Sequence, residues 1–265
     1  MIETYRSIVH AWECDSVDHF TTAFYFAAFG SAHWHLAQRL KLDPAKLELR
    51  SCKTRFLREL RAGDIYHIVS GVLAESPACI GHQLFNSETS ELCATLAQTF
   101  DGAIDAREPI DWPDERPMDR VDFVALANWS PTATNIVQAR DLDHSGALSL
   151  STLIHCCSDA NVQFQNRIGM TSSYMHDSRI GFATMAYQIG IGRLPDAPGA
   201  IIEISSALAH LGRSSLHIAH RVLDGRTRAP IATVAQFGVH FDRKSRRPAE
   251  IPERIRTVAQ SLAAR

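Results

Sequence analysis

An acid and a histidine four residues apart, Asp15 and His19, sit just ahead of a stretch with helical apolar periodicity that begins near Thr22. Those residue types suit acyl transfer to water. A carboxylate can attack a carbonyl carbon as nucleophile or activate water as general base. The first turn of a helix offers backbone N–H groups and the positive end of a dipole to a developing oxyanion. His19 could orient Asp15 or the water, or shuttle a proton. An aspartate in such a loop is also an ordinary turn residue, and His19 and Tyr25 have structural readings as well, so the surrounding elements must decide.

The loop requires a strand before it and a buried helix after it. Residues Arg6 to Trp12 alternate and predict a first strand, and Thr22 to Leu40 reads as a helix that is apolar on most sides. Its small residues Ala23, Ala27, Ala28, Gly30 and Ala32 would let a sheet approach, and Thr21 or Thr22 is the expected N-cap. Period-two segments follow at Phe56–Leu60, Ile65–Leu73, Ile80–Phe85 and Leu92–Phe100. Prolines at 109, 113, 117 and 131 punctuate an acidic linker, with a short helix or strand expected near Val121–Leu126.

Beyond the linker the unit repeats. Ile8, Val9, Ala11 and Asp15 recur 128 residues later as Ile136, Val137, Ala139 and Asp143. Ile65, Ile68 and Ser70 recur as Ile201, Ile204 and Ser206, and Thr95-Leu96-Ala97-Gln98 as Thr233-Val234-Ala235-Gln236. The offset grows only across loops, as in a tandem duplication. The expected divisions are an N-terminal unit at 1–102, a linker at 103–131, a C-terminal unit at 132–245 and a tail or helix at 246–265.

In this pattern the chain resembles the hotdog fold, and its loop resembles that of the acyl-CoA thioesterases related to 4-hydroxybenzoyl-CoA thioesterase. Their loop reads Asp, two residues, Gly-His, one residue, Asn-Asn, two residues, Tyr. Here Asp15, His19 and Tyr25 fall in register, while Asp18 stands at the glycine and Thr21 and Thr22 at the asparagines. The second copy, Asp143-His144-Ser145-Gly146-Ala147, keeps Asp143 and Gly146 but has Leu153 at the tyrosine position, which marks it as a degenerate site. Leu60-Arg61-Ala62-Gly63-Asp64 and the segment from Phe241 to Pro248 resemble further parts of the family.

The resemblance implies an α+β fold of two tandem hotdog units, each an antiparallel sheet wrapped around a long central helix, joined into one continuous sheet. It implies a hydrolase for acyl-CoA or acyl-carrier-protein thioesters, with coenzyme A as part of the substrate and no separate cofactor. In the family the oxyanion donor comes from the helix start, which here implies an amide among Thr22, Ala23, Phe24 and Tyr25. Arg213, Arg221 and Arg243 are candidates to hold the CoA phosphates, although a solvated basic face is the default reading of each. The alternatives are a hotdog hydratase or dehydratase, whose His-Phe-Pro-Gly-like or Asp-x-Asn-Pro-x-His segments are missing, and a non-catalytic acyl-CoA binding module.

Composition narrows the class. With 45% hydrophobic and 21% charged residues and a net charge of -2, the 265-residue chain is expected to be globular, to avoid nucleic acid and membranes, and to work in the cytoplasm. The resemblance adds a homodimer as an expected partner arrangement, since single-unit relatives commonly form dimers or tetramers. Its six cysteines include no Cys-x-x-Cys pair, so reduced thiols are expected rather than a disulfide framework or zinc site. His33 and His35 are two apart on a helix and cannot share a face, so no metal is expected there.

Overall fold

The computed structural model describes residues 1–15, 17–42, 47–74, 76–102, 104, 109–113 and 120–263. They form two compact units. One contains Met1–Met118, Gln138–His155 and Leu194–Ala197, and the other contains Asp119–Val137, Cys156–Arg193 and Pro198–Arg265.

In the first unit β1 (Ile2–Ile8), α1 (Thr22–Arg39), β2 (Leu49–Phe56), β3 (Ile65–Leu73), β4 (Ser76–Asn86) and β5 (Leu92–Phe100) follow in chain order. The strands form an antiparallel sheet in the order β1-β3-β4-β5-β2. A two-residue strand, β6 (Pro109–Ile110), pairs in parallel with β3. Alternation in β3 turns Tyr66, Ile68, Ser70 and Val72 inward. Against that face α1 buries Phe26, Phe29, Ala32 and Leu36, and Leu36 meets Val72, Ile80 and Phe100.

In the second unit β7 (Ser130–Ile136), α2 (Leu150–Arg167), α3 (Ser172–Asp177), β8 (Ile180–Ile191), β9 (Ile201–Leu211), β10 (Ser215–Asp224), β11 (Pro230–Asp242) and β12 (Arg247–Pro248) precede α4 (Glu253–Ala263). The main strands run β8-β11-β10-β9-β7. Each strand of that order pairs antiparallel with its neighbours. Phe164 of α2 and Ile168 just past its end pack with Leu216, Ile218, Ile251 and Ile255, so α4 closes this core. The start of α2 and the loop before it belong to the first unit. Two tandem units of sheet and long helix are the double hotdog arrangement.

Several sequence expectations shift. The first strand is Ile2–Ile8 rather than Arg6–Trp12, because the Glu13 carboxylate takes the His10 amide at 2.9 Å and winds Ala11–Glu13 into a 3-10 turn. The strand expected at Phe56–Leu60 is Leu49–Phe56. Past Phe56 the amides of Leu57 and Arg58 both turn to the Cys93 carbonyl, and the chain leaves the sheet. Residues 123–125 form a turn, not a helix or strand, since the Asp122 carboxylate accepts the Val124 and Ala125 amides. Ala27 and Gly30 lie on the exposed side of α1, so the close approach to the sheet is made at Ala28 and Ala32. Thr21 occupies the N-cap, but its side chain makes no capping bond. Pro117 and parts of the expected linker lie outside the described residues. Among the described residues no helix is long and apolar enough to cross a membrane.

Candidate active site

The loop before α1 is built by its aspartate. Asp15 Oδ1 accepts the amides of Val17 at 2.9 Å and His19 at 3.0 Å. The Asp15 amide in turn donates to the His19 carbonyl, and the Asp18 amide to the Asp15 carbonyl. This tight turn needs a left-handed residue, and Asp18 fills that place at φ 62°. It is the position where the family pattern has glycine. In the second copy Gly146 occupies it at φ 81°.

The turn presents Asp15 Oδ2 toward His19. The imidazole Nδ1 lies 4.0 Å from Asp15 Oδ2, and its Nε2 lies 3.5 Å from Glu59 Oε2. The His19 side chain is largely covered, with 13% exposure, while the two carboxylates remain open to solvent at 44% and 40%. Glu59 is a site residue the sequence did not reveal. It comes from the segment that leaves the sheet after β2, forty residues from His19, and only its place beside Leu60-Arg61-Ala62-Gly63-Asp64 could have drawn notice. The Leu60 carbonyl accepts the Phe20 amide at 2.8 Å, which ties that segment to the loop.

The helix start lies directly beyond. The Thr21 carbonyl accepts the amides of Phe24 at 3.0 Å and Tyr25 at 3.3 Å, so these two expected oxyanion donors are engaged in the helix turn. Thr22 and Ala23 precede them, and Ala23 is buried. Tyr25 is also buried, with Phe20 at 4.5 Å and Phe56 at 5.1 Å between ring centres. Burial pushes its hydroxyl's pKa upward despite a backbone bond at Leu60. Tyr25 is thus part of an aromatic floor beneath the loop, which Tyr66 extends at 5.6 Å from Phe20.

The second-copy loop keeps the same backbone bonds. The Asp143 amide donates to Ala147 and the Gly146 amide to Asp143. Asp143 Oδ1 takes the Ser145 amide at 2.8 Å and the Ser145 hydroxyl at 2.5 Å. The arginines proposed for CoA lie in the second unit. Arg213 pairs with Glu250 at 3.3 Å, and Arg243, exposed, follows β11 at the same end of the sheet. Arg221 lies farther along β10, with its guanidinium 4.8 Å above the Trp129 ring. The two histidines of α1 point apart, His35 Nδ1 contacting the Thr4 carbonyl at 2.8 Å. Among the described residues no group of three metal-ligating side chains forms.

A second polar feature is wholly buried. In the first unit Thr4 Oγ1 lies 2.7 Å from Ser70 Oγ, Ser70 Oγ 2.6 Å from His82 Nδ1, and His82 Nε2 3.0 Å from Gln98 Oε1. The second unit repeats the row as Thr132, Ser206, His220 and Gln236, at 2.7, 2.8 and 3.2 Å. Burial lowers the pKa of His82 to about 3 and of His220 to about 4. The sequence repeat contains Ser70 and Gln98 with their counterparts, and His82 and His220 share the Gln98 offset. No motif singles out a histidine in mid-strand.

A family model for the thioesterase-like superfamily matches residues 9–122 and again 137–258. No curated protein matches the sequence. Among solved structures, the chain is similar to a 12:0-ACP thioesterase from Umbellularia californica, with TM-score 0.62 and 9% identity over 89% of this chain and 93% of that one. It is also similar to an acyl-ACP thioesterase from Bacteroides thetaiotaomicron, with TM-score 0.61 and 10% identity over 88% and 96%. At such identities the likeness is one of fold.

Proposed function

Since the chain belongs to the thioesterase-like superfamily, we propose that it hydrolyses acyl thioesters of coenzyme A or an acyl carrier protein at the Asp15 loop. The observation that carries this reading is the division of labour within one carboxylate. Oδ1 is spent on the turn, while Oδ2 faces His19 and solvent. Asp15 then serves as general base. Oδ2 takes a proton from water as the water oxygen bonds to the thioester carbon, and collapse breaks the C–S bond. The proton returns to the departing thiolate, giving an acid and a free thiol. His19, set between Asp15 and Glu59, positions the water. The start of α1 supplies the donor for the oxyanion.

Hydrolysis of a panel of acyl-CoA and acyl-carrier-protein thioesters, read by thiol release, tests the reading. Asp15→Asn is the clean variant, because an amide oxygen can still accept the Val17 and His19 N–H groups while the base is gone. The expected result is a kcat lowered by roughly 10²-fold or more. An unchanged kcat removes Asp15 from catalysis, and a wild type inactive on every thioester removes the hydrolase.

A further inference from the structure

The second unit carries two helices, α3 and α4, that have no counterpart among the described residues of the first. Where they meet the end of α2 they leave a cleft of about 440 Å³, a size that suits a small ligand. Its floor is Ile168 and Ile255, both buried. Val258, three residues past Ile255 on α4, forms one wall and stays 40% exposed. Tyr174 of α3 forms another. Its hydroxyl lies 2.9 Å from His240 Nε2, and His240 Nδ1 lies 2.7 Å from the Ala249 carbonyl. Burial lowers the His240 pKa, so the ring is neutral. A carbonyl only accepts, so Nδ1 carries the ring proton and Tyr174 donates to Nε2. That relay holds the tyrosine in place as a rigid wall.

The polar groups around this apolar floor are mostly donors that lack acceptors. Arg254 holds its guanidinium carbon 5.1 Å from the centre of the Tyr174 ring. The acids beside it in the chain are taken, Glu250 by Arg213 at 3.3 Å and Glu253 by Arg256 at 3.8 Å. Arg254 pairs with no carboxylate among the described residues. The Thr171 oxygen accepts the Tyr174 amide at 3.1 Å, which leaves its O–H to donate. The Ser178 hydroxyl, also in the lining, has no partner among the described residues. Asp177 is the one acid among the lining residues. It lies 3.1 Å from the neighbouring His176 and is 77% exposed, so water screens its charge.

We propose that this cleft binds a monocarboxylate with an aliphatic tail. The planar fork of Arg254 matches the two carboxylate oxygens, and Thr171 and Ser178 are further donors. The tail lies along Val258 and over Ile255 and Ile168, which removes apolar surface from water. A single cation suits a single negative charge, whereas a phosphate dianion would leave one charge unmet beside Asp177. The site stands on the second unit alone and does not need the hydrolase reading, although an acid released by that reaction has this chemistry.

The test uses the full chain, with octanoate and octanol as probes. Val258→Cys places a thiol in the cleft, and its reaction with a disulfide exchange reagent reads occupancy there, apart from any binding at the Asp15 loop. Octanoate is expected to slow that labelling, and octanol, which lacks the charge, to need roughly tenfold more for the same effect. In Val258→Cys/Arg254→Gln the half-protecting octanoate concentration is expected to rise by roughly tenfold. Calorimetry of the chain with Val258 intact is expected to lose one octanoate site in Arg254→Gln, which serves should the cysteine variant not fold. Labelling that octanoate does not slow, or that octanol slows at the same concentration, overturns the proposal. A half-protecting concentration or a calorimetric site count that Arg254→Gln leaves in place overturns it as well. A wild type inactive on every thioester would remove the hydrolase and leave this site standing.

Discussion

Asp15 holds its own loop with one oxygen and faces His19 with the other, which separates two kinds of substitution. Asp15→Ala should lose what Asp15→Asn loses and also destabilise the fold by about 1 kcal/mol, as removal of a turn-capping acceptor does. Thermal melts of the two variants check this, and equal melting points would contradict the structural half of the role. Asp18 carries a left-handed strain that Gly146 avoids in the other loop. Asp18→Gly is therefore expected to raise Tm by an amount equivalent to about 1 kcal/mol. A lower Tm would show that the Asp18 side chain stabilises the turn in some other way. At this scale the sequence was informative where contacts are local. The register of Asp15, Asp18 and His19 is written in consecutive residues. Glu59 was not legible, because its approach to His19 depends on where the chain leaves β2.

At the level of elements, each sheet buries one neutral histidine in a row of hydroxyl and amide groups. The unfolded imidazoles titrate near 6.5, whereas His82 and His220 in the fold resist protonation down to about 3 and about 4. Below 6.5 the unfolded chain binds protons that the folded one does not. Stability is thus fully present above pH 6.5 and is lost as pH falls toward the folded values, at roughly 1.4 kcal/mol per pH unit for each histidine. Tm measured from pH 7.5 to 5 should drop accordingly, and a flat profile over that range would refute the assignment. The outer face of the first sheet offers another check. A Cβ at Gly81 would come within 2.5 Å of the Trp112 ring and 2.7 Å of Leu73. Gly81→Ala should cost about 1–3 kcal/mol and shift the Trp112 fluorescence. The strands were legible from alternation and the long helix from its apolar length. Their ends were not, because the Glu13 carboxylate and the Cys93 carbonyl intercept the backbone before the pattern stops.

For the molecule as a whole, duplication explains both what could be foreseen and what could not. Three matched segments in one order disclosed the two units, and the structure repeats β1 in β7 down to the single buried threonine, Thr4 or Thr132. What a repeat cannot disclose is where its copies part company. His33 and Asn161 occupy equivalent places, yet the His33 ring stacks on Phe100 while the Asn161 oxygen accepts from Gln165. Five of the six cysteines are buried and Cys14 is half-covered. Burial also raises the thiol pKa at Cys14 and Cys93, the latter to about 11. A disulfide exchange reagent should therefore label Cys14 slowly and alone in the native protein, and all six thiols after denaturation. Rapid native labelling of two or more would contradict this packing.

The paired rows also give the protein a built-in spectroscopic signature. An imidazole N–H shut away from water gives up its proton slowly enough to be seen as a distinct far-downfield resonance in a proton spectrum. His82 and His220 would each contribute one, and each would disappear when its own half opened. Watching the two peaks during heating or denaturant titration would show, without any added label, whether the halves come apart together or one before the other.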